Sequence, residues 1–266
     1  MLEASTTTAL LLAVGAGLST TIGSVLGIAV RRPGDRFMAF TLGLSAGVML
    51  MVSFVELLPT AVESIGFVSA QIGFFAGLLT YFVIDFFVPH EYIGQRDYPG
   101  AEYPLVRVRG ERREPAQLYR SGVLVALGIT IHNFPEGMAT FVGGIEDIRV
   151  GLSIAVAIAI HNIPEGLAIS APIYAATGNR KEAFLWSFFS GLAEILGALL
   201  AAIFLLPFLT PALLAWVLAF VAGIMVLISI DELIPSAKSF ESEHAPVLGV
   251  LAGMAVMAAS LQLLAV

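Results

Sequence analysis

Long apolar runs follow one another along the chain, with short polar segments between them. A membrane-spanning helix needs about 20 mostly apolar residues, and these runs reach that length without the alternation typical of transmembrane strands. The pattern predicts an all-α integral membrane protein with one polytopic domain over residues 1–266. Its eight helices are expected near 6–30, 37–59, 66–88, 119–142, 150–174, 183–206, 212–235 and 245–266.

The composition agrees with a lipid environment. Of the 266 residues, 58% are hydrophobic and 12% are charged, whereas a soluble domain carries about 25% charged residues. The net charge is −7, which argues against nucleic acid as a partner. There is no cysteine, so disulfide frameworks and thiolate metal sites are excluded.

Lysine and arginine give the orientation, because they accumulate in cytoplasmic loops. The loops after helices one, three, five and seven hold 12 of the 13 cations, and the opposite loops hold only Arg149. Both termini are therefore expected outside the cytoplasm, with the segment 89–118 as a flexible cytoplasmic loop. We expect an integral membrane protein without a cleaved signal peptide, since no basic segment precedes the first apolar run.

An internal repeat relates the first three helices to the last three. The segment 47–59 aligns without a gap on 223–235, with Gly, Met, Ser, Glu and Pro coinciding, and helix one aligns on helix six with Gly17 on Gly191 and Gly23 on Gly197. The two copies begin five helices apart, so the second would be threaded upside down. This 3+2+3 inverted arrangement is typical of transporters whose substrate site lies at the bilayer midplane.

Between the two copies lie two similar hexapeptides, His132-Asn-Phe-Pro-Glu-Gly137 and His161-Asn-Ile-Pro-Glu-Gly166. Histidine and the glutamate four residues later share one helical face, and the asparagine is three residues from that glutamate. The proline would bend each helix and open space beside these side chains. An ionisable group in the middle of a span is by default a functional hypothesis.

Imidazole and carboxylate together suit borderline divalent ions such as Zn²⁺, Fe²⁺, Mn²⁺ or Co²⁺. The predicted ligands in the hexapeptides are His132, Asn133, Glu136, His161, Asn162 and Glu165. Glu194, in the middle of helix six, is a natural further ligand. A kink with paired polar residues, or for Glu194 a hydrogen-bonded carboxyl, is the purely structural alternative.

With these two hexapeptides, the Gly-x-x-Glu of helix six and eight predicted spans, the chain resembles the ZIP (Zrt/Irt-like) family of metal-ion transporters, most closely a bacterial branch. The resemblance implies uptake of zinc, with Fe²⁺, Mn²⁺, Co²⁺ and Cd²⁺ as further cargo, through a binuclear centre. One implied site holds His132, Glu136, His161 and Glu165, and the other holds Asn133, Glu136, Asn162, Glu165 and Glu194.

The same resemblance suggests a contribution from helix two, for which Met49 is the matching residue. The loop 89–118 departs from the pattern, because many family members carry a histidine-rich loop and this one holds only His90. A metal-sensing role for the loop is therefore in doubt.

Three further acids suggest a route for the metal. Glu56 is expected at the outer end of helix two, and Asp231 and Glu232 at the inner end of helix seven. A cation would then meet outer acid, midplane centre and inner acid in turn. The alternative is that these acids only cap helix ends.

Two other functions fit the same residues. An intramembrane zinc metallohydrolase would need about three protein ligands, an open position and a separate base, whereas these ligands come as a matched pair. A selective channel differs from a carrier only in its kinetics. We therefore expect a transporter and not an enzyme, with no catalytic cofactor, in contact with the lipid bilayer, and with small residues that would permit a homodimer.

Zinc binding should weaken in acid, because an imidazole must be neutral to bind metal. The affinity of purified protein for zinc is expected to fall below about pH 6.5, the ordinary pKa of histidine. Equilibrium zinc binding across a pH series measures this. Affinity that is unchanged down to about pH 5 would contradict the assignment of His132 and His161 as ligands.

Overall fold

The computed structural model describes residues 2–29, 34–87, 107–108, 111–112, 115–205, 208, 210–238 and 240–264. In this part of the chain the fold is a bundle of long helical rods. The exception is one short antiparallel pair, in which Arg107–Val108 lies beside Glu111–Arg112. Most of the predicted cytoplasmic loop, including His90, lies outside the described residues.

Eight rods make up the described bundle, and we number them in chain order. Three of them contain a π-helical turn, and their bounds are α1 Leu2–Ala29; α2 Asp35–Val52 with the π turn Ser53–Leu57 and Leu58–Ile65; α3 Phe67–Phe87; α4 Pro115–Glu146; α5 Ile148–Thr177; α6 Arg180–Leu200 with the π turn Ala201–Leu205; α7 Pro211–Ile228 with the π turn Ser229–Leu233 and Ile234–Lys238; α8 Ala245–Leu264.

Seven of the rods, all except α4, contain a stretch long and apolar enough to cross a membrane. The stretches are Ser5–Ala29, Asp35–Ile65, Phe67–Ile84, Ile148–Ala171, Arg180–Phe204, Pro211–Lys238 and Ala245–Gln262. The prediction of an all-helical membrane protein is therefore confirmed. The rod α4 has 32 residues, which at 1.5 Å per residue is about 48 Å and exceeds the thickness of a bilayer core.

The π turns of α2 and α7 occupy equivalent positions of the sequence repeat. The Leu58 N–H bonds to the Ser53 carbonyl, and the Ile234 N–H bonds to the Ser229 carbonyl, five residues back in each case. A proline follows directly each time, and it has no N–H to continue the regular ladder. The sequence repeat therefore coincides with a repeated irregularity of the backbone.

The rods form two groups by their packing. Helices α1, α4, α5 and α6 pack mainly on one another, and so do the pairs α2 with α8 and α3 with α7. The two groups meet where α2 contacts α5 and where α7 contacts α4. Glycines bring the backbones together: Gly77 of α3 lies against Phe220, and Gly253 of α8 lies against Leu44, with no space for a Cβ atom.

Helices α3 and α8 are the most peripheral. Only 28% of the α3 span and 22% of the α8 span are buried in protein, compared with 67% of the α5 and α7 spans. The exposed side chains of α3 and α8 include Phe67, Phe75, Leu79 and Leu251. Since large apolar side chains are unfavourable in water, these faces suit the hydrocarbon of a bilayer. The interior helices α4 and α5 then carry the polar residues.

We expect Gly253→Ala to destabilise the bundle, because its Cβ would overlap the Leu44 carbonyl oxygen. Forced overpacking of this kind usually costs about 1–3 kcal/mol, and thermal unfolding in detergent measures the loss. The matched control is Gly15→Ala, since Gly15 has open space around its α-carbon. That control should be neutral or stabilising, and equal unfolding temperatures for the two variants would contradict the packing argument.

Candidate metal centre

Helices α4 and α5 hold the two hexapeptides side by side in the interior of the bundle. Both helices continue through their internal prolines. Five predicted ligands are at most 1% exposed, namely Asn133, Glu136, His161, Asn162 and Glu165. Glu194 of α6 is also fully buried. The side chain of His132 lies outside the described residues.

Glu136 and His161 join the two helices. The Nε2 atom of His161 lies 3.3 Å from both carboxylate oxygens of Glu136. One nitrogen of the second hexapeptide therefore lies close to two oxygens of the first. Nitrogen and carboxylate oxygen are the donors that zinc prefers when thiolate is absent.

The two asparagines are anchored in matching ways. Asn133 donates from Nδ2 to the Ser190 carbonyl of α6 at 3.1 Å. Asn162 donates from Nδ2 to the Ala16 carbonyl of α1 at 3.0 Å, and also to Oε2 of Glu194 at 2.7 Å. A carbonyl can only accept, so these bonds fix which side of each amide carries its oxygen.

Several oxygen atoms of this cluster have no hydrogen-bond partner within the described residues. Among them are Oδ1 of Asn133, Oδ1 of Asn162 and Oε1 of Glu194. A buried acceptor without a partner typically costs about 1–3 kcal/mol, and such groups are rare unless an ion or water satisfies them. A cation in the centre would satisfy acceptors of this kind.

The glycine that ends each hexapeptide lets the backbone of a neighbouring helix approach closely. Gly137 of α4 lies against the backbone of Glu194, and Gly166 of α5 lies against the backbone of Thr20 in α1. Any Cβ atom at either glycine would overlap a carbonyl oxygen. The glycines therefore place α6 and α1 close enough for their carbonyls to anchor the asparagines.

Helix α2 contributes a residue that the sequence reasoning missed. The Oγ atom of Ser45 lies 3.4 Å from Oε1 of Glu165, and both side chains are fully buried. Met49, the residue expected here, is fully buried in the main apolar core. Ser45 lies four residues before Met49 and so on the same helical face, which is the signal that could have found it.

The predicted ligands that the structure describes contact other side chains in pairs and do not form a complete coordination shell. Among the described side chains, no group of three His, Asp or Glu residues is placed so that it could hold a metal ion. The contacts are Glu136 with His161, Asn162 with Glu194, and Ser45 with Glu165. The binuclear centre therefore stays a prediction.

The acids of the expected route lie in the π turns. Glu56 belongs to the turn of α2, and Asp231 and Glu232 belong to the turn of α7. All three are half-buried. Glu232 accepts a hydrogen bond from the Tyr81 hydroxyl of α3 at 3.0 Å, so it faces a neighbouring helix and is more than a helix cap.

The chain is similar to known zinc transporters over nearly its whole length. A family model described as ZIP Zinc transporter matches residues 106–261. The chain is 42% identical to the zinc transporter ZupT of Streptococcus mutans, over 96% of this chain and 97% of that protein. It is 45% identical to ZupT of Escherichia coli O127:H6 and 44% identical to ZupT of Salmonella arizonae, each over 96% of both chains. The resemblance noted in the sequence is confirmed: the chain belongs to the ZIP family of zinc transporters.

Proposed function

We propose that this protein carries zinc across the membrane into the cytoplasm through the centre between α4 and α5. The observation that carries the proposal is the buried set of acceptors around Glu136, His161 and Asn162, inside a bundle of apolar helices. Such a set is expensive in a bilayer unless an ion passes through it. The names of the curated relatives support zinc as the cargo.

We further propose two adjacent zinc sites that share Glu136 and Glu165. One would contain the two histidines and the two glutamates. The other would contain the two asparagine oxygens, the same glutamates and Glu194, whose Oε1 has no partner in the described part of the chain. The contact between His161 and Glu136 supports the first site.

An inverted repeat would explain why the centre is built in matched halves. The register that aligns 47–59 on 223–235 also relates the two π turns. The same register aligns Gly77 on Gly253 and Leu44 on Phe220. The contact between Gly77 and Phe220 therefore corresponds to the contact between Gly253 and Leu44, with the two copies exchanged. Both the backbone irregularity and the helix contacts therefore support the repeat.

The alignment of helix one on helix six extends this correspondence to the centre. It places Ala16 on Ser190, the two residues whose carbonyls anchor the asparagines. Each hexapeptide would then be supported by the equivalent residue of a different copy. The centre would lie between two oppositely oriented halves.

We place α4 as the eighth span and both termini outside the cytoplasm, in the inner membrane of a bacterium. The length of α4 and its packing between α5 and α6 support the eighth span. The uneven distribution of Lys and Arg supports the orientation. The apolar outer faces of α3 and α8 would contact lipid or, in a homodimer, a second copy.

Other divalent ions are proposed as secondary cargo. A centre of imidazole, amide and carboxylate can accept Zn²⁺, Fe²⁺, Mn²⁺, Co²⁺ and Cd²⁺, because selectivity among such ions in the cell depends on geometry and metal availability as well as on ligand type. No feature of the described residues favours the metallohydrolase alternative, and the relatives carry the name of transporters.

Zinc uptake into proteoliposomes should depend on the centre. We expect saturable uptake by the wild type, reported by a zinc-sensitive dye inside the vesicles, and none above protein-free vesicles for His161→Ala/Glu165→Ala. The control is Glu243→Ala/His244→Ala, which removes the same two residue types from an exposed loop. Uptake that survives in the first variant, or is lost in both, would contradict the proposed path.

The outer acid should matter at low zinc concentrations. If Glu56 attracts cations to the centre, Glu56→Ala should slow uptake roughly two- to fivefold well below saturation and leave the maximal rate unchanged. Initial rates over a zinc series measure both quantities. The control, Glu63→Ala, removes an exposed carboxylate from the same rod. If it slows uptake as much as Glu56→Ala does, the effect is due to general surface charge and not to a specific role of Glu56.

A further inference from the structure

Ser45 is the side chain through which helix α2 reaches the centre. It is fully buried, and its Oγ atom lies 3.4 Å from Oε1 of Glu165, which is longer than a typical O–H···O hydrogen bond. Helix α2 belongs to the packing group of α2, α3, α7 and α8, whereas Glu165 belongs to the other group. The contact therefore joins the two groups at the centre itself.

The direction of this hydroxyl is unusual for a serine inside a helix. Such hydroxyls commonly donate to the carbonyl four residues back, as Ser53 does to Met49 at 2.7 Å and Ser229 does to Met225 at 2.8 Å. Ser45 points across the helix interface to a carboxylate instead.

The equivalent position in the second repeat cannot make this bond. The alignment of α2 on α7 places Ser45 on Val221, which is 1% exposed and has no donor in its side chain. Glu136, the counterpart of Glu165 in the other hexapeptide, lies against His161. The hydroxyl beside Glu165 therefore has no counterpart at the equivalent position of the second repeat.

We propose that Ser45 is a positioning residue of the zinc centre. Its hydroxyl holds Oε1 of Glu165 towards α2 and so fixes the orientation of the carboxylate that would bind the metal. The side chain acts on zinc through Glu165 and so sets the affinity of the centre more than the rate of transport. This inference rests on the proposed function.

The test compares Ser45→Ala, Ser45→Thr and a matched control, Ser53→Ala. Ser53 is a fully buried serine two turns further along the same rod, and its hydroxyl is bonded to its own helix. Two quantities are measured for each purified protein: the dissociation constant for zinc in detergent, and KM and kcat for zinc uptake into proteoliposomes. Thermal unfolding checks that each variant is folded.

We expect Ser45→Ala to raise both the dissociation constant and KM by about three- to tenfold, with kcat nearly unchanged, because one hydrogen bond to a carboxylate is lost. Ser45→Thr keeps the hydroxyl and should return both constants to within about threefold of the wild type. Ser53→Ala should leave both constants as in the wild type. If Ser45→Ala does not fold, Ser45→Cys replaces it, since a thiol donates only weakly.

Unchanged zinc affinity and KM in Ser45→Ala would overturn the proposal. An equal loss in Ser45→Ala and Ser45→Thr would overturn it as well, because the shape of the side chain and not its hydroxyl would then matter. A wild type that binds zinc but does not transport it would refute the proposed function alone. In that case the dissociation constants still decide the role of Ser45.

Discussion

A carboxylate in the middle of a membrane must be compensated, and this requirement organises the interior of the protein. Glu136, Glu165 and Glu194 are all buried within a bundle whose outer surface is apolar. Each carboxylate contacts a polar group from a neighbouring helix: the imidazole of His161, the hydroxyl of Ser45 or the amide of Asn162. Because these groups come from α2 and α5, the acids can be accommodated only where several helices meet closely.

Close approach of the backbones makes these contacts possible. The glycines that end the two hexapeptides bring the backbones of α6 and α1 against α4 and α5. The carbonyls of Ser190 and Ala16 then lie within reach of the two asparagine amides. Each hexapeptide thus contains the predicted metal ligands together with the glycine that lets the supporting helix approach. This explains why six residues recur almost unchanged within one chain.

The class of fold and the position of the buried polar cluster could be read from the sequence, because both depend on local features. Apolar runs of sufficient length give membrane helices, and paired His-Asn-x-Pro-Glu-Gly motifs stand out against them. The π turns were not predicted, although Pro59 and Pro235 mark their positions in retrospect. Ser45 was missed for a different reason. A helical serine can bond to its own backbone or across an interface, and only the neighbouring helix decides which.

The proposed repeat also shows where the two halves differ, and these differences carry more information than the matches. The alignment of α1 on α6 places Thr20 on Glu194, and the alignment of α2 on α7 places Ser45 on Val221. Both positions lie at the centre, and each offers a different chemical group in the two halves. Two strictly equivalent halves would hold two ions in identical sites. The substitutions instead place a hydroxyl beside Glu165 and add an extra acid on the side of Asn162. Two ions in such a centre would meet different donors and bind with different strength.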